Sequence, residues 1–182
     1  MDRHDVLEVL DRLNAASVRW WVHGGWGMDA LLGEETRPHD DLDLAVARAD
    51  LVLLETALPE FHRVPERDEW PSSFVIADGR GRQVDLHPLR LDDDGNGWQE
   101  QRDGSEFLWS RADLDGRGRI GHRAVRCTSP EFEARSHTYP GHDDVDRSDH
   151  ERLAVRFNLE RPTGPWPGTI HPKRICARVY PP

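Results

Sequence analysis

The stretch HGGWGMDALLGEETRPHDDLDL, residues 23–44, decides the fold. It is entered from VRWWVH (18–23), whose β-branched and aromatic residues predict a buried strand. Gly24 and Gly25 come directly after that strand. Glycines let a ligand approach the backbone closely, and the N-terminus of a following helix attracts phosphate. The pair therefore indicates either a phosphate-binding turn or only a tight connection between strand and helix.

Two carboxylates begin the next element. Residues 26–32 predict a short helix, and 42–47 (LDLAVA) predict a second strand that Asp41 precedes. Because side chains alternate along a strand, Asp41 and Asp43 share one face. Neighbouring carboxylates repel each other unless a cation lies between them, and such pairs hold Mg²⁺ beside nucleotide phosphates. The alternative is a solvated acidic strand end.

A third carboxylate, Asp85, lies in the predicted strand 82–87, between the apolar residues Val84 and Leu86. If this strand lies beside 42–47, Asp85 joins the first two carboxylates, and the three can hold two metal ions. One of them can also take a proton from an attacking hydroxyl. The alternative is a single exposed aspartate. His87 shares the face of Asp85, where it either orients a substrate or is an ordinary core histidine.

Helical and strand patterns alternate along the rest of the chain. They predict an α/β (α+β) fold with a short mixed sheet flanked by helices and a small C-terminal helical part. We expect one domain over 1–160 and a proline-rich tail over 161–182. The further predicted helices are 2–16, 50–58, a short one from Ser129 and 146–159; the further strands are 73–77, 106–109 and 124–127.

The chain has 182 residues and a formal net charge of −10. This charge argues against a nucleic-acid-binding surface, which needs a basic face, but a bound metal still lets a nucleotide bind. No apolar run is long enough for a membrane helix, so we expect a cytoplasmic protein without membrane contact. The two cysteines, Cys127 and Cys176, lie far apart in the sequence. We expect them to be free thiols in a reducing compartment, and the alternative is a single disulfide.

The motifs GGWGMDALLG, TRPHDDLD and VDLHP together resemble the nucleotidyltransferase superfamily, over about residues 18–160. The nearest branch is the small lincosamide and aminoglycoside nucleotidyltransferases, the adenylyltransferases that inactivate antibiotics. The resemblance implies the nucleotidyltransferase fold. It also implies transfer of a nucleoside monophosphate, usually AMP, from ATP or another NTP to a hydroxyl group of a small molecule, with two Mg²⁺ ions as cofactor.

The resemblance also assigns roles to the carboxylates and glycines. Gly24 and Gly25 would lie against the triphosphate, Asp41 and Asp43 would bind Mg²⁺, and Asp85 would complete the metal site and act as the general base. These three aspartates are the expected catalytic residues.

Two residues before the acidic pair have more than one interpretation. Arg37 contacts phosphate or pairs with Asp29, and His39 contacts phosphate or caps the strand. The lincosamide branch carries an Asp-His pair that matches Asp149 and His150, which implies that the last helix faces the site.

The acceptor is expected to be a lincosamide or aminoglycoside, and no nucleic-acid partner is expected. The chain is shorter than two-domain members of the superfamily, so a second subunit of a homodimer is one source for half of the acceptor site. Two other classes remain open: a protein-modifying or antitoxin-type nucleotidyltransferase, and a non-catalytic nucleotide-binding module.

Residues 92–103 (DDDGNGWQEQRD) have two interpretations. They are either a turn-rich surface loop or, with Asp92 and Asp103 at its ends, a loop close to a calcium-binding pattern. Trp70, Trp98 and Trp109 lie in or beside loops, where they either line an apolar acceptor pocket or pack against the loops.

Overall fold

The computed structural model describes residues 1–136 and 144–159, and the structural statements below concern these residues. The predicted tail over 161–182 and Cys176 lie outside them. The helices are α1 (Arg3–Ala15), α2 (Gly24–Leu32), α3 (Leu51–Ala57), α4 (Pro130–Ser136) and α5 (Asp144–Phe157). The strands are β1 (Trp20–His23), β2 (Leu42–Ala47), β3 (His62–Glu69), β4 (Ser73–Ala77), β5 (Gln83–Leu91), β6 (Gly97–Glu100), β7 (Glu106–Trp109), β8 (Gly116–Ile120) and β9 (Arg123–Cys127).

The nine strands form one mixed sheet. Its main path runs β3-β4-β5-β2-β1-β9-β8, and β6 pairs with the end of β5 and with β7. β2 is parallel to β5 and β1 is parallel to β9, whereas the other pairs are antiparallel. The predicted α/β fold with a mixed sheet is confirmed, and the strand 82–87 does lie beside 42–47. The sheet has more strands than the sequence indicated.

Three strands were not predicted, and each has a physical reason. β3 has the sequence HRVPERDE and is largely exposed, so it lacks the alternation of a half-buried strand. β8 (GRGRI) is rich in glycine and arginine. β6 lies inside the Asp- and Gly-rich segment that was predicted to be a loop.

Residues 92–103 form two separate turns joined by β6, so neither the long loop nor the calcium-binding loop is present. Asp92 closes the first turn by accepting hydrogen bonds from the amides of Asp94 and Asn96 (3.0 and 2.8 Å). Asp103 belongs to the turn after β6, where it accepts from Ser105 (3.1 Å to the amide). The intervening strand holds the two carboxylates in different turns.

The main core lies between the sheet and the helices α1, α2 and α5. α1 begins after Asp2, whose carboxylate accepts a hydrogen bond from the Asp5 amide (2.9 Å), the usual N-cap interaction. A smaller cluster on β2, β5 and β7 packs against α4. Its buried members are Ala45, Leu89, Trp109, Leu114 and Phe132.

A buried ion pair fixes the β4–β5 hairpin. Arg82 and Asp78 are 2.7 Å apart, and their side chains are 4 % and 2 % exposed. The Arg82 guanidinium also lies 3.1 Å from Glu8 on α1. Burial raises the pKa of Asp78, but hydrogen bonds from Arg82 and from the turn amides outweigh burial and lower it. The hairpin is thereby tied to α1.

No helix in the described part of the chain combines the length and the apolar character that crossing a membrane requires. Cys127 is a free, buried thiol on β9, and burial raises its pKa to about 12. It is therefore protonated and unreactive at neutral pH.

Candidate active site

Three adjacent strands bring polar residues into register at one end of the sheet. Asp43 on β2 lies opposite His23 on β1 and opposite Asp85 on β5. Two residues further on, Ala45 lies opposite His87. Because side chains two apart share a face, the backbone pairing itself brings Asp43, Asp85 and His87 to one face.

Asp43, Asp85 and His87 present possible ligand atoms that all lie within 4.8 Å of one another. Asp85 Oδ1 is buried and has no hydrogen-bond partner among the described residues. A buried carboxylate oxygen of this kind is costly unless a cation or a donor satisfies it. Carboxylate oxygens are the ligands that Mg²⁺ prefers, so the arrangement fits a magnesium site.

Asp41 reaches this group through an arginine. Arg67 on β3 lies 3.3 Å from Asp41 Oδ2 and 3.5 Å from Asp85 Oδ2. It also donates a hydrogen bond to Gln83 Oε1 (2.8 Å). The guanidinium therefore stands between two of the three predicted carboxylates, where a positive charge is required. The sequence pattern gives no sign of Arg67, because this residue lies on the unpredicted strand β3.

The site shifts the pKa values of two groups. Burial raises the pKa of Asp85 to about 6; Arg67 opposes this shift, whereas the charges of Asp41 and Glu69 add to it. Burial lowers the pKa of His87 to about 4, so its ring is neutral at physiological pH. In the absence of metal, Asp85 therefore exchanges its proton close to neutral pH.

The glycine pair lies directly against these side chains. α2 begins at Gly24 rather than at residue 26, and Gly24 has φ +61°. A Cβ atom at Gly24 would collide with the Asp43 carboxylate, and one at Gly25 would collide with the His39 ring. The first turn of α2 thus passes the Asp43 carboxylate and the His39 ring at the distance that only glycine permits, and the backbone amides of this turn have no partner within the helix.

Arg37 and His39 are linked to each other and to the helices. His39 Nε2 lies 2.5 Å from Asp29 Oδ2 on α2, and Arg37 donates to His39 Nδ1 (3.2 Å). The alternative in which Arg37 pairs with Asp29 is wrong: Arg37 pairs with Asp149 on α5 (3.2 Å), because His39 occupies Asp29. α5 therefore reaches the site through Asp149.

Arg37 and His39 also line an open cavity of about 530 Å³ beside the first turn of α2. Its other lining residues are Met1, Asp2, Trp26, Glu35, Thr36 and Pro38.

A buried glutamine connects His87 to the smaller core. Gln99 on β6 is 7 % exposed and lies 3.0 Å from His87 Nδ1. It also contacts the Ser72 carbonyl (2.8 Å) and the Trp109 indole (2.9 Å). Gln99 was not predicted as a site residue, because the Asp- and Gly-rich sequence around it indicates a loop.

The three tryptophans have different surroundings. Trp109 is 3 % exposed and stacks on Phe132 (centroids 4.3 Å apart), so it belongs to the core and not to an open pocket. Trp98 donates to Asp92 (2.8 Å) and closes the turn before β6. Trp70 is 39 % exposed, with Arg48 and Arg63 at 5.0 and 5.1 Å from its ring.

Two solved nucleotidyltransferase structures share this architecture. The lincosamide antibiotic adenylyltransferase LnuA, solved with lincomycin bound, superposes with a TM-score of 0.73 at 24 % identity, over 84 % of this chain and 96 % of that one. ANT(2'')-Ia, solved in complex with adenylyl-2''-tobramycin, superposes with a TM-score of 0.67 at 21 % identity, over 85 % and 88 % of the two chains. The chain has the nucleotidyltransferase fold.

Sequence comparison defines the family. A lincosamide resistance protein of Staphylococcus haemolyticus is 26 % identical over 146 residues, 80 % of this chain and 88 % of that protein. A 2''-aminoglycoside nucleotidyltransferase of Klebsiella pneumoniae is 46 % identical over 41 residues, 22 % of each chain. The profile of the aminoglycoside-2''-adenylyltransferase family matches residues 5–153. The chain belongs to this family and is a nucleotidyltransferase.

Proposed function

We propose that this protein transfers AMP from ATP, or the corresponding monophosphate from another NTP, to a hydroxyl group of a lincosamide or aminoglycoside antibiotic, with Mg²⁺ as cofactor. The observation that carries the proposal is that Asp43 and Asp85 lie opposite each other on adjacent strands, with the backbone of Gly24 packed against the Asp43 carboxylate. The family and the relatives solved with antibiotics support the substrate class.

The nucleotide is proposed to lie over the first turn of α2. There, backbone amides at Gly24 and Gly25 can donate to phosphate oxygens. Arg37 borders the same turn and lines the adjoining cavity, so its guanidinium is placed to meet the triphosphate. Both ring nitrogens of His39 already have protein partners, Asp29 and Arg37. His39 then contributes to nucleotide binding chiefly by holding Arg37.

Asp41, Asp43 and Asp85 are proposed as the ligands of two Mg²⁺ ions. The bound ions would neutralise the triphosphate and the departing pyrophosphate. Binding of metal and nucleotide requires Arg67 to leave the space between Asp41 and Asp85. Once displaced, Arg67 remains at the edge of the site on an exposed strand, where it can approach the phosphates.

Asp85 is proposed as the general base. The acceptor hydroxyl attacks the α-phosphorus, and its proton passes to the Asp85 carboxylate. A new bond forms between the acceptor oxygen and the α-phosphorus, the bond to the bridging oxygen of pyrophosphate breaks, and pyrophosphate leaves. In the metal-free protein burial raises the pKa of Asp85 to about 6, and bound metal ions would lower it, so the carboxylate would be deprotonated and able to accept the proton at the working pH.

The acidic chain suits the cationic groups of these acceptors. Its net charge of −10 favours the approach of an amine-bearing drug to a site rich in carboxylates. We further propose that a second copy of the chain completes the acceptor site as a homodimer, which sedimentation with and without acceptor would measure.

The test is pyrophosphate release by the purified full chain with ATP, Mg²⁺ and each member of a panel of lincosamides, aminoglycosides and simple sugars. Mass spectrometry of the product identifies the modified acceptor. Asp43→Asn is the inactive control. Release with no antibiotic, together with ATP-dependent labelling of a protein, would replace the proposal with protein modification. Tight ATP binding without release on any acceptor would indicate a nucleotide-binding module.

A further inference from the structure

The side chain of Gln99 is held by three partners. Trp109 Nε1 lies 2.9 Å from Gln99 Oε1, and Gln99 Nε2 lies 2.8 Å from the Ser72 carbonyl and 3.0 Å from His87 Nδ1. All three distances are those of ordinary hydrogen bonds.

Two of these partners fix which way the amide points. An indole N–H can only donate, so Trp109 must face the amide oxygen of Gln99. A backbone carbonyl can only accept, so Ser72 must face the NH₂ group. Rotating the amide by 180° would break both hydrogen bonds and leave two buried polar groups opposed to groups of the same kind.

The orientation of the amide then determines the protonation of His87. The second N–H of Gln99 is directed at His87 Nδ1. Because that hydrogen needs an acceptor, Nδ1 must carry a lone pair. A neutral imidazole with an unprotonated Nδ1 carries its single proton on Nε2.

His87 Nε2 faces the predicted metal site, where it lies 3.6 Å from Asp85 Oδ1. This oxygen is the buried one that has no hydrogen-bond partner among the described residues. A shift of a few tenths of an ångström brings the pair to hydrogen-bond distance.

We propose that Gln99 is a positioning residue that locks His87 in its Nε2–H tautomer, so that His87 donates a hydrogen bond to Asp85 and cannot ligate the metal. The part of this proposal that concerns the metal rests on the proposed function. Without Gln99, the neutral ring can carry its proton on Nδ1 instead, and the unprotonated Nε2 can then join Asp43 and Asp85 as a nitrogen ligand, since all three ligand atoms lie within 4.8 Å of one another.

The lock determines which ions the site takes. With His87 as a donor, Asp43 and Asp85 offer oxygen only, which suits Mg²⁺. A nitrogen ligand would shift preference toward Zn²⁺ and Co²⁺, which bind imidazole well. The Nε2–H takes one lone pair of Asp85 Oδ1, and the second lone pair of Oδ1 and those of Oδ2 remain for metal and for the acceptor proton.

The first test determines the tautomer of His87 in the metal-free full chain at neutral pH. Proton–nitrogen correlation spectra of the histidine rings distinguish a protonated from an unprotonated ring nitrogen. The signals that disappear in His87→Asn belong to His87. We expect a protonated Nε2 and an unprotonated Nδ1, and a protonated Nδ1 would overturn the proposal. This result does not depend on any enzymatic activity.

The second test uses Gln99→Glu, which keeps an acceptor for Trp109, can only accept from His87, and replaces the N–H donated to the Ser72 carbonyl by an oxygen. The expected result is a protonated Nδ1 and a Zn²⁺-to-Mg²⁺ affinity ratio raised by about 10- to 100-fold, the size usual for a residue that orients a metal ligand. Gln101→Glu is the control for charge: it adds the same charge two residues further along and removes the hydrogen bond that Gln101 donates to the Gln99 main-chain carbonyl (3.1 Å), but it leaves the side-chain amide of Gln99 and its three partners unchanged.

The Zn²⁺-to-Mg²⁺ affinity ratio distinguishes the effect of the tautomer from the effect of the added charge. An added carboxylate strengthens the binding of both divalent ions, whereas a change of tautomer favours Zn²⁺. Equal affinity ratios in Gln99→Glu and Gln101→Glu would overturn the proposal that Gln99 controls the metal preference of the site. If Gln99→Glu does not fold, Gln99→Met removes the N–H donor without adding charge, and we expect its His87 to populate both tautomers. If His87 has the Nε2–H tautomer but the chain transfers no nucleotide, the proposed function is wrong and the proposed role of Gln99 in fixing the tautomer still holds.

Discussion

Asp43 and Asp85 lie directly opposite each other in the parallel pairing of β2 and β5, although one helix and two strands separate them along the chain. Their separation is therefore set by backbone hydrogen bonds of the sheet and not by a loop. Such a pair is held rigidly before any ligand arrives, which reduces the reorganisation that metal binding and catalysis require.

Replacing Asp43 and Asp85 one at a time separates metal binding from general-base catalysis. We expect Asp43→Asn to abolish turnover and to weaken Mg²⁺-dependent ATP binding. Asp85→Asn should lower kcat by about 10²- to 10⁴-fold, the usual contribution of a general base, while ATP binding changes much less. Pyrophosphate release and calorimetry measure the two effects. Asp93→Asn, at an exposed aspartate, is the control. Equal losses of binding and turnover in Asp85→Asn would remove its assignment as base.

Gly24→Ala should displace the Asp43 carboxylate and weaken Mg²⁺-dependent ATP binding at least about tenfold, because Asp43 occupies the position of the new methyl group. Gly104→Ala is the matched control: Gly104 also has positive φ (+79°), but no atom lies within 4 Å of its Cβ position. Both variants carry a backbone cost of about 1–2 kcal/mol. Similar binding in both would show that close approach at Gly24 is not required.

Arg67→Gln should strengthen Mg²⁺ binding in the absence of nucleotide, because the guanidinium competes with the ion for Asp41 and Asp85. The gain is up to about fivefold, since a half-exposed ion pair contributes about 1 kcal/mol or less. Arg63→Gln removes an arginine from the same strand, where it pairs with Asp68 instead. Calorimetric Mg²⁺ titration compares the three proteins, and weaker binding by Arg67→Gln would contradict the competition.

Asp85 should make the stability of the metal-free protein depend on pH. Its pKa rises from the ordinary 3.8 to about 6, so the folded state retains a proton that the unfolded state releases between these values. Stability therefore falls as pH rises from about 4 to 6, by up to about 3 kcal/mol at about 1.4 kcal/mol per pH unit.

Asp85→Asn should remove this cost and raise the Tm of the metal-free protein at pH 7.5, with little effect near pH 4. Saturating Mg²⁺ should reduce the difference, because the wild-type protein has one more carboxylate ligand than the variant and is therefore stabilised more by metal binding. Thermal unfolding in chelator at both pH values is the measurement. An unchanged or lower Tm at pH 7.5 would contradict the raised pKa.

Asp78→Asn should destabilise the fold by about 3–5 kcal/mol, because it leaves the buried Arg82 guanidinium without its main counter-charge. The lowered pKa of Asp78 means that its contribution is present above the ordinary value of 3.8 and is lost as pH falls through the folded pKa. Urea unfolding at neutral pH measures the loss. Asp115→Asn, at an exposed pair with Arg117, should change stability by less than about 0.5 kcal/mol.

Local patterns predicted the elements that carry the carboxylates, because β2 and β5 are short runs of apolar residues interrupted by aspartate. Alternation along a single strand predicted the face shared by Asp41 and Asp43. The sequence predicted that Asp85 joins the other carboxylates only if its strand lies beside β2. Which strands become neighbours, and in what register, cannot be predicted from the pattern of a single strand. The partner of Arg37 was missed for the same reason, because Asp149 lies far along the chain.

Gln99 and Arg67 show a different obstacle. Gln99 is buried on a four-residue strand surrounded by turn residues, and a polar side chain carries no apolar signal of burial. Arg67 lies on a charged edge strand whose composition resembles a loop. Both residues are identified by what they contact, and those contacts arise from tertiary structure.

The parallel pairing of β2 with β5 has a consequence for how such a protein can diversify. Of the chain between the two strands, the β3–β4 hairpin forms the outer edge of the sheet, whereas α3 packs into the main core through Leu54. Insertions and deletions in the turns of this hairpin leave the β2–β5 register untouched, as do changes in the β6–β7 turn. New acceptors can therefore be explored by exchanging peripheral segments, while the ion-holding centre is inherited unchanged.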